Sequence, residues 1–342
     1  MGKILVTGGC GYIGSHTIVE LVEHGFEVIS VDNLSNSDEQ VLTGIEKTTG
    51  IYVQNYAIDV NDRAGLDELF SKEDIEGVIH FAALKSVNES VNEPMLYYRN
   101  NVSGLINLID VMQKHDCHRL IFSSSCSVYG NSKEVPVTED TPLAEPESPY
   151  ARTKLMGEQI LRDMSGGQSG ISTIALRYFN PAGAHPGNEI GESPTQNASN
   201  LVPVVTETAM GLRKEMTVFG EDYPTRDGTC IRDYIHVTDI AQAHVQALSY
   251  ILDGRNKSPF EIFNLGSGIG NTVLEVINSF QSVTGQSVPH LKGPRRAGDV
   301  ISIYANNDRA KSALDWKPKY SLDDIMRTAW NWEKKRRGWS NF

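Results

Sequence analysis

The chain is short of cysteine, of positive charge and of long apolar runs. Its four cysteines (Cys10, Cys117, Cys126, Cys230) form no C-x-x-C pair and no zinc-type spacing, so no metal centre is expected. A formal net charge of −12, from 31 Lys+Arg against 43 Asp+Glu, argues against nucleic acid as a partner. It still permits a local basic site for an anionic ligand. No stretch approaches the roughly 20 apolar residues that a membrane helix needs. The first residues run straight into an apolar strand pattern with no readable signal peptide. Gly2 lacks the Ser or Thr at position 6 of a myristoylation motif. Without export, the Asn-x-Ser sequons at Asn88, Asn101, Asn197 and Asn256 are chance matches. A cytoplasmic chain without internal repeats is expected, and 342 residues suffice for two lobes.

What is present is a glycine spacing. The opening MGKILVTGGCGYIGSHTIVELVEHGFEVISVDN places Gly8, Gly11 and Gly14 between a β-branched run at 3–7 and a helical pattern from Tyr12 to Glu23. Ile13, Thr17, Ile18, Leu21 and Val22 recur at helical spacing, and Gly25 supplies the stop. A helix N-terminus at this junction offers free N–H groups and partial positive charge to a phosphate. A second apolar run ends at Asp32, about 20 positions on, where a carboxylate accepts from an NAD ribose 2′-OH and repels a 2′-phosphate. The pattern predicts dinucleotide binding, with NAD favoured over NADP.

Strand and helix patterns then alternate: a strand over 51–58, another at 77–83, a helix from about 94 to 115, a strand at 119–125, a helix from Ser148 to about Met164, and a strand at 171–179. This rhythm predicts an α/β fold, a doubly wound parallel Rossmann sheet, with a smaller mixed α/β C-terminal lobe. Ligands should gather at the C-terminal strand ends, at Gly8, Asp32, Ala82, Ser125 and Asn180. The rhythm breaks in the Gly-, Pro- and Asn-rich segment 181–200, which reads as a long loop or lid. Residues 1–180 are expected to form the cofactor domain, with a return segment near 236–266. Residues 181–342 form the substrate domain.

SPYARTK (148–154) carries the chemistry. Ser148 suits an N-cap and Pro149 the first helical position, so Tyr150 and Lys154 share one helix face. A phenol has a pKa of about 10 and is a poor base at neutral pH. A neighbouring ammonium, a helix N-terminus and a cationic nicotinamide each favour the phenolate. Ser125, closing the strand that ends in SSS, can hydrogen-bond the same reacting oxygen.

With these residues together, the chain resembles the extended short-chain dehydrogenase/reductase family, and within it the nucleotide-sugar 4-epimerases that interconvert UDP-glucose and UDP-galactose. The resembling segments run in order from TGGCGYIGSH through DNLSNS, HFAALKSVNESV, YYRNNV, SSSCSVYG, RYFNPAGAHP, NLVP and YPTRDGTCIRDYIHV to PRRAGD. The resemblance implies Tyr150 as general base, with Ser125 and Lys154 as its catalytic partners. It implies NAD contacts from Gly8, Gly11, Tyr12, Ile13, Gly14, Asp32, Asn33, Asn36, Ser37, Asp59, Val60, Phe81, Ala82 and Lys85. Asn100, Tyr150, Lys154 and Tyr178 would complete them at the nicotinamide end. The UDP-hexose would be held by Lys85, Ser125, Asn180, Asn200, Leu201, Phe219, Arg232, Arg296 and Asp299. By spacing from Asp299, Ile303 would line the hexose pocket and tune acceptance of a 2-N-acetyl group, which leaves a UDP-N-acetylglucosamine 4-epimerase or a dual-specificity enzyme as the alternative. Homodimerisation through the helices near 94–115 and 149–164 is also implied. A related 4,6-dehydratase needs an Asp-Glu pair where this chain has Cys126 and Ser127. A 4-reductase with a cysteine acid would prefer NADPH, against Asp32, and an NAD-sensing regulator could dispense with Tyr150 and Lys154.

Overall fold

Lys3–Thr7 forms a strand whose side chains sort by parity, Ile4 and Val6 to one face and Leu5 to the other. The computed structural model describes residues 2–165, 170–194, 198–296 and 299–339. In it this strand, β1, is followed by β2 (Val28–Val31), β3 (Asn55–Tyr56), β4 (Ile75–His80), β5 (Arg119–Ser125) and β6 (Ser172–Tyr178). Beyond them come β7 (Asn180–Ala182), β8 (Met216–Phe219), β9 (Ile231–His236), β10 (Phe260–Leu265), β11 (Gly270–Thr272), β12 (His290–Gly293) and β13 (Ser302–Ile303). The main sheet has the order β10-β6-β5-β4-β1-β2-β3, with every pairing parallel. Strand order reverses between β1 and β4, which opens a crevice at their C-terminal ends.

Both faces of this sheet are covered, as parallel sheets require. Ile4, Val6, Ile79, Ile121 and Ile174 pack with the helices Tyr12–Glu23 and Val237–Leu252. Leu5, Val78, Leu120, Phe122 and Ala175 pack with Arg63–Lys72, Gly104–Lys114 and Pro149–Ser165. A separate core of Val202, Val205, Met216, Val218, Val276, Ile277, Phe280, Ile325, Met326 and Trp330 lies beyond Asn180.

Two elements depart from the sequence reading. The strand expected over 51–58 shrinks to Asn55–Tyr56, because it pairs on one side only and Ile51 and Tyr52 are exposed. The helix expected over 94–115 is preceded by the short helix Val87–Asn92, with Glu93 pushed out of helical conformation before Pro94. It also contains a π-helical stretch at Tyr98–Ser103. Asn197, Ala297 and Gly298 lie outside the described residues, as does part of the 181–200 segment.

Candidate active site

The glycine turn is built at the crevice where strand order reverses. Gly8 adopts φ +70°, and a Cβ there would sit 2.8 Å from the Ala82 nitrogen at the end of β4. At Gly14 a Cβ would lie 2.2 Å from the Gly8 carbonyl oxygen, so this glycine lets the helix close onto the loop. Gly11 differs from both. It is the N-cap of Tyr12–Glu23 with φ −74° and ψ 171°, a conformation open to any residue, and its Cβ would meet only the Gly8 oxygen at 3.1 Å. The chain itself does not demand glycine at that position. A ligand approaching the helix N-terminus would, and the free N–H groups there suit a dinucleotide pyrophosphate.

Asp32, buried at the end of β2, accepts from Cys10 N–H (3.0 Å), Leu34 N–H (2.9 Å) and the Ser37 hydroxyl (2.8 Å). Two carboxylate oxygens offer about four acceptor sites, so one remains for a ribose hydroxyl. Asn33 donates to Asp59 at 2.8 Å, which ties the loops after β2 and β3 together, while Asn36 is exposed beside them. Burial raises the Asp59 pKa, but hydrogen bonds from Asn61 and Asn33 outweigh it and hold the carboxyl below its ordinary value. Val60 is buried against the surface that Gly104 leaves open, and Ile13 packs on the core beneath the glycine turn. Phe81 follows β4 with its ring 4.6 Å from that of His244.

The candidate catalytic trio gathers where the helix Pro149–Ser165 meets the end of β5. Ser125 is buried and caps the short 3-10 turn Cys126–Tyr129, and its hydroxyl lowers the pKa of the neighbouring Tyr150. Lys154 is buried one turn along, donating to the Ser123 carbonyl at 2.7 Å with its ammonium 5.2 Å above the Phe122 ring. Burial pulls its pKa down to about 8, against the opposing charge of Glu158. Burial pushes Tyr150 up to about 12, despite the Ser125 hydrogen bond. The neighbouring lysine, the helix N-terminus and a cationic nicotinamide, each expected to favour the phenolate, act against this desolvation. A cationic nicotinamide ring would add positive charge beside this phenol when the cofactor is bound. Tyr178 pairs its hydroxyl with Ser123 behind the trio, and burial raises its pKa as well.

Below the trio is a polar floor that local sequence pattern does not reveal. Arg177 grips Glu158 with two bonds (2.8 and 2.6 Å), Ser124 donates to the same carboxylate, and Arg177 reaches the Tyr129 hydroxyl at 3.0 Å. Tyr129 in turn donates to Asn264 on β10 at 2.7 Å. A buried ion pair of this kind is held by being fully hydrogen-bonded, not by raw Coulomb attraction.

Further candidate residues lie on β7, β9 and the segment before β13. Asn180 opens β7 opposite Tyr234 of β9, and Arg232 lies two residues before Tyr234 on the same strand. Arg296 holds Asp299 with two bonds of 3.0 Å, and Arg232 approaches the same carboxylate at 3.8 Å. Two guanidiniums on one carboxylate leave net positive charge in an acidic protein, which suits a pyrophosphate. The Arg296 guanidinium also sits 5.0 Å over the half-exposed Phe219 ring. Asp233, beside Arg232, is fully buried and accepts from Ser267 N–H and Oγ–H, Gly268 N–H and Ala305 N–H.

Ile303 is placed inside a cluster with Val128, Tyr129, Val137, Phe179 and Ala305, 5% exposed, with Cys126 packed against the same cluster. Lys85, over the Tyr12 ring at 5.9 Å, pairs with Glu192 at 3.6 Å, and Asn200 donates to that same carboxylate at 2.9 Å. Leu201 begins the helix Leu201–Ala209 beyond Asn200 and packs on the second core. Asn100 donates to Asn101 at 2.9 Å within the π-helical stretch. Glu192, Asp233, Glu158 and Asn101 were not singled out by sequence reasoning as site residues. Asn101, read there only as an unused sequon, is 6% exposed.

A family model described as GDP-mannose 4,6 dehydratase matches residues 5–329. The UDP-glucose 4-epimerase of Bacillus subtilis (strain 168) is 46% identical over 330 residues, 96% of each chain. A solved UDP-glucose-4-epimerase from Stenotrophomonas maltophila, with bound NAD and formylated UDP-arabinopyranose, superposes with a TM-score of 0.96 at 44% identity, covering 99% of this chain and 100% of that one. The UDP-glucose 4-epimerase from Bifidobacterium longum, in complex with NAD+ and UDP, does so with a TM-score of 0.93 at 43% identity and the same coverage. At the positions before V-Y-G the chain has Cys126 and Ser127, not the carboxylates of a dehydratase. The chain belongs to the UDP-glucose 4-epimerase family of the extended short-chain dehydrogenases/reductases.

Proposed function

We infer that this protein is an NAD-dependent UDP-glucose 4-epimerase, interconverting UDP-glucose and UDP-galactose through a transient 4-keto sugar. The observation that carries the reading is Tyr150 and a buried Lys154 one turn apart on the helix that meets Ser125 at the end of β5, with no acid pair at 126–127. Gly8, Gly11, Gly14, Asp32, Asn33, Asp59 and Lys85 would hold NAD. When bound, NAD supplies a hydride acceptor for the sugar C4 and a positive ring charge. Tyr150 takes the proton from the 4-hydroxyl and later returns it, and Ser125 steadies the oxygen. Lys154 fixes the ribose side of the site. Arg232, Arg296 and Asp299 grip the nucleotide while the keto sugar turns about its tether and presents its other face. Residues 1–180 with the 236–266 return act as the cofactor domain, and the remainder as the nucleotide-sugar domain. A buried Ile303 is smaller than a tyrosine, which favours weaker but measurable activity on the N-acetylated pair.

The partner is a second copy of this chain. Val87, Val91, Met95, Leu96 and Ile106 are all 43–61% exposed along the 87–114 helical segment, an apolar surface suited to helix-bundle dimerisation. The site uses a cytosolic cofactor and nucleotide sugar, in keeping with a cytoplasmic enzyme. The test is incubation of purified protein with UDP-glucose, without added NAD or metal, and chromatography of the products. UDP-galactose is expected, with Tyr150→Phe lowering kcat by about 10²–10⁴ and leaving UDP affinity within a few-fold. Turnover that needs added cofactor at every cycle, or a Tyr150→Phe protein of normal rate, refutes the reading.

A further inference from the structure

Glu192 joins two side chains from opposite sides of the crevice. Its Oε1 lies 3.6 Å from the Lys85 ammonium and accepts from the Asn200 amide at 2.9 Å. Lys85 stands on the loop after β4. Asn200 is the N-cap of the helix Leu201–Ala209, yet its side chain makes no capping bond and turns to Glu192 instead. An ammonium and an amide N–H converging on one anionic oxygen form the donor set that a phosphate oxygen would also recruit.

The carboxylate is anchored from behind. The Trp332 indole N–H, on the helix Leu322–Arg336, donates to the Glu192 carbonyl at 2.9 Å, and Glu189 nearby pairs with Lys335 of the same helix. The Glu192 side chain is 13% exposed and that of Lys85 is 64% exposed. A fixed negative charge therefore holds a cation on a long, flexible stem. Burial first, and the Glu192 charge second, raise the pKa of Tyr12, whose ring lies 5.9 Å from the same ammonium. The charge is thus felt at the start of the glycine-turn helix.

We propose that Glu192 is an internal competitor for a diphosphate: its carboxylate draws Lys85 and Asn200 away from the phosphate oxygens and loosens nucleotide binding. The proposal rests on the epimerase reading, in which both residues hold the nucleotide sugar. Substrate and product then share one diphosphate. Grip spent equally on both lowers KM without raising kcat, and it slows product exit. A built-in competitor keeps that grip weak enough for exchange.

The test begins with the unmodified NAD-loaded protein, so that failure to epimerise UDP-glucose or to bind UDP counts against the functional reading and not against Glu192. Calorimetry then gives the UDP dissociation constant of Glu192→Gln, Glu192→Ala, Lys85→Gln and the double variant Lys85→Gln/Glu192→Gln. One exposed ion pair shifts an equilibrium by a few-fold, and a diphosphate offers more than one charge to the released lysine. Glu192→Gln is expected to bind UDP about three- to tenfold tighter, with KM for UDP-glucose falling in step while kcat does not rise. Glu192→Ala, which also releases Asn200, should tighten binding at least as much, and the isosteric glutamine decides where the two differ. In the Lys85→Gln background the same glutamine should change the constant by less than about twofold, because the contested donor is gone. An equal gain in that background assigns the effect to plain charge repulsion and overturns the competition. Unchanged or weaker UDP binding in Glu192→Gln also overturns it, with or without a fall in Tm, since a residue that merely supports the pocket cannot tighten binding when removed.

Discussion

Two glycines six residues or fewer from the start of the first helix should respond in opposite ways to the same added methyl. At Gly14 the new Cβ would lie 2.2 Å from the Gly8 oxygen and 2.9 Å from the Gly9 Cα, both backbone atoms that cannot swing aside. The helix Tyr12–Glu23 must move off the sheet, at a cost of about 1–3 kcal/mol or more. At Gly11 the backbone is in an ordinary extended region and only one atom lies near, at 3.1 Å. Gly11→Ala should change folding stability by no more than about 1 kcal/mol, since the loss of unfolded-state freedom offsets the tight contact. The methyl would instead stand where a phosphate meets the helix N-terminus. A hydrogen bond to a charged group is worth about 1.5–3 kcal/mol, so losing one weakens NAD by roughly ten- to a hundredfold. Differential scanning calorimetry gives the first quantity, and NAD extracted per mole of purified protein gives the second. Gly11→Ala is expected to keep its Tm and lose its cofactor, and Gly14→Ala to lose Tm. A Gly11→Ala protein that carries a full complement of NAD refutes the assignment of this turn to the pyrophosphate.

Asp32→Ala should let cofactor-stripped enzyme take NADP alongside NAD, because the carboxylate that repels a 2′-phosphate is gone; unchanged preference in a reconstitution titration counts against that role. Ile303→Ser should raise, and Ile303→Tyr lower, the ratio of kcat/KM for N-acetylated over plain UDP-hexoses, by the roughly 1–3 kcal/mol an apolar pocket can discriminate. Equal ratios in both variants would leave Ile303 as core alone, and its burial predicts a stability loss for the serine in either case. Acid should destabilise the fold through buried imidazoles. Burial pulls His16, His80 and His236 down to about 3 and His244 to about 4, against about 6.5 in an unfolded chain. The unfolded state therefore binds the extra protons between about pH 6.5 and 4, so stability falls with pH there by up to about 1.4 kcal/mol per unit for each imidazole. Asp239, raised by burial to about 6, works in the opposite direction and offsets part of the loss. A Tm that stays level from pH 7 to pH 5 would contradict this balance.

What was legible in the sequence follows from range. The glycine turn, Asp32 and the Tyr150–Lys154 face lie within about 30 residues of their partners, and their chemistry shows in local spacing. The resemblance then extended the reading to residues that no spacing connects, such as Arg232 and Arg296. Residues whose roles depend on distant partners stayed hidden. Glu158 meets Arg177 across a strand boundary, Glu192 meets Lys85 across 107 positions of chain, and Asn101 meets Thr153 52 positions on. The overlong strand at 51–58 has a different cause. Its apolar residues fit a strand, but a sheet margin supplies only one neighbour, and Ile51 and Tyr52 end in solvent. The π-helical stretch likewise has no periodic signature, since one extra residue shifts the helical phase without changing composition.

Strand β9 has a mechanical meaning beyond its hydrogen bonds. Ile231 and Arg232 pair with β11 and β13, Tyr234 to His236 pair with β7, and Asp233 between them is pinned by four donors from two further segments. Arg232 on β9 and Asn180, on β7 opposite Tyr234, are thus tied to one strand at positions two residues apart, roughly 7 Å along it. Neither can shift without dragging the other. If Arg232 and Asn180 hold the nucleotide sugar as proposed, a tethered sugar would turn within a frame of fixed dimensions, its inversion carried by torsions of the substrate.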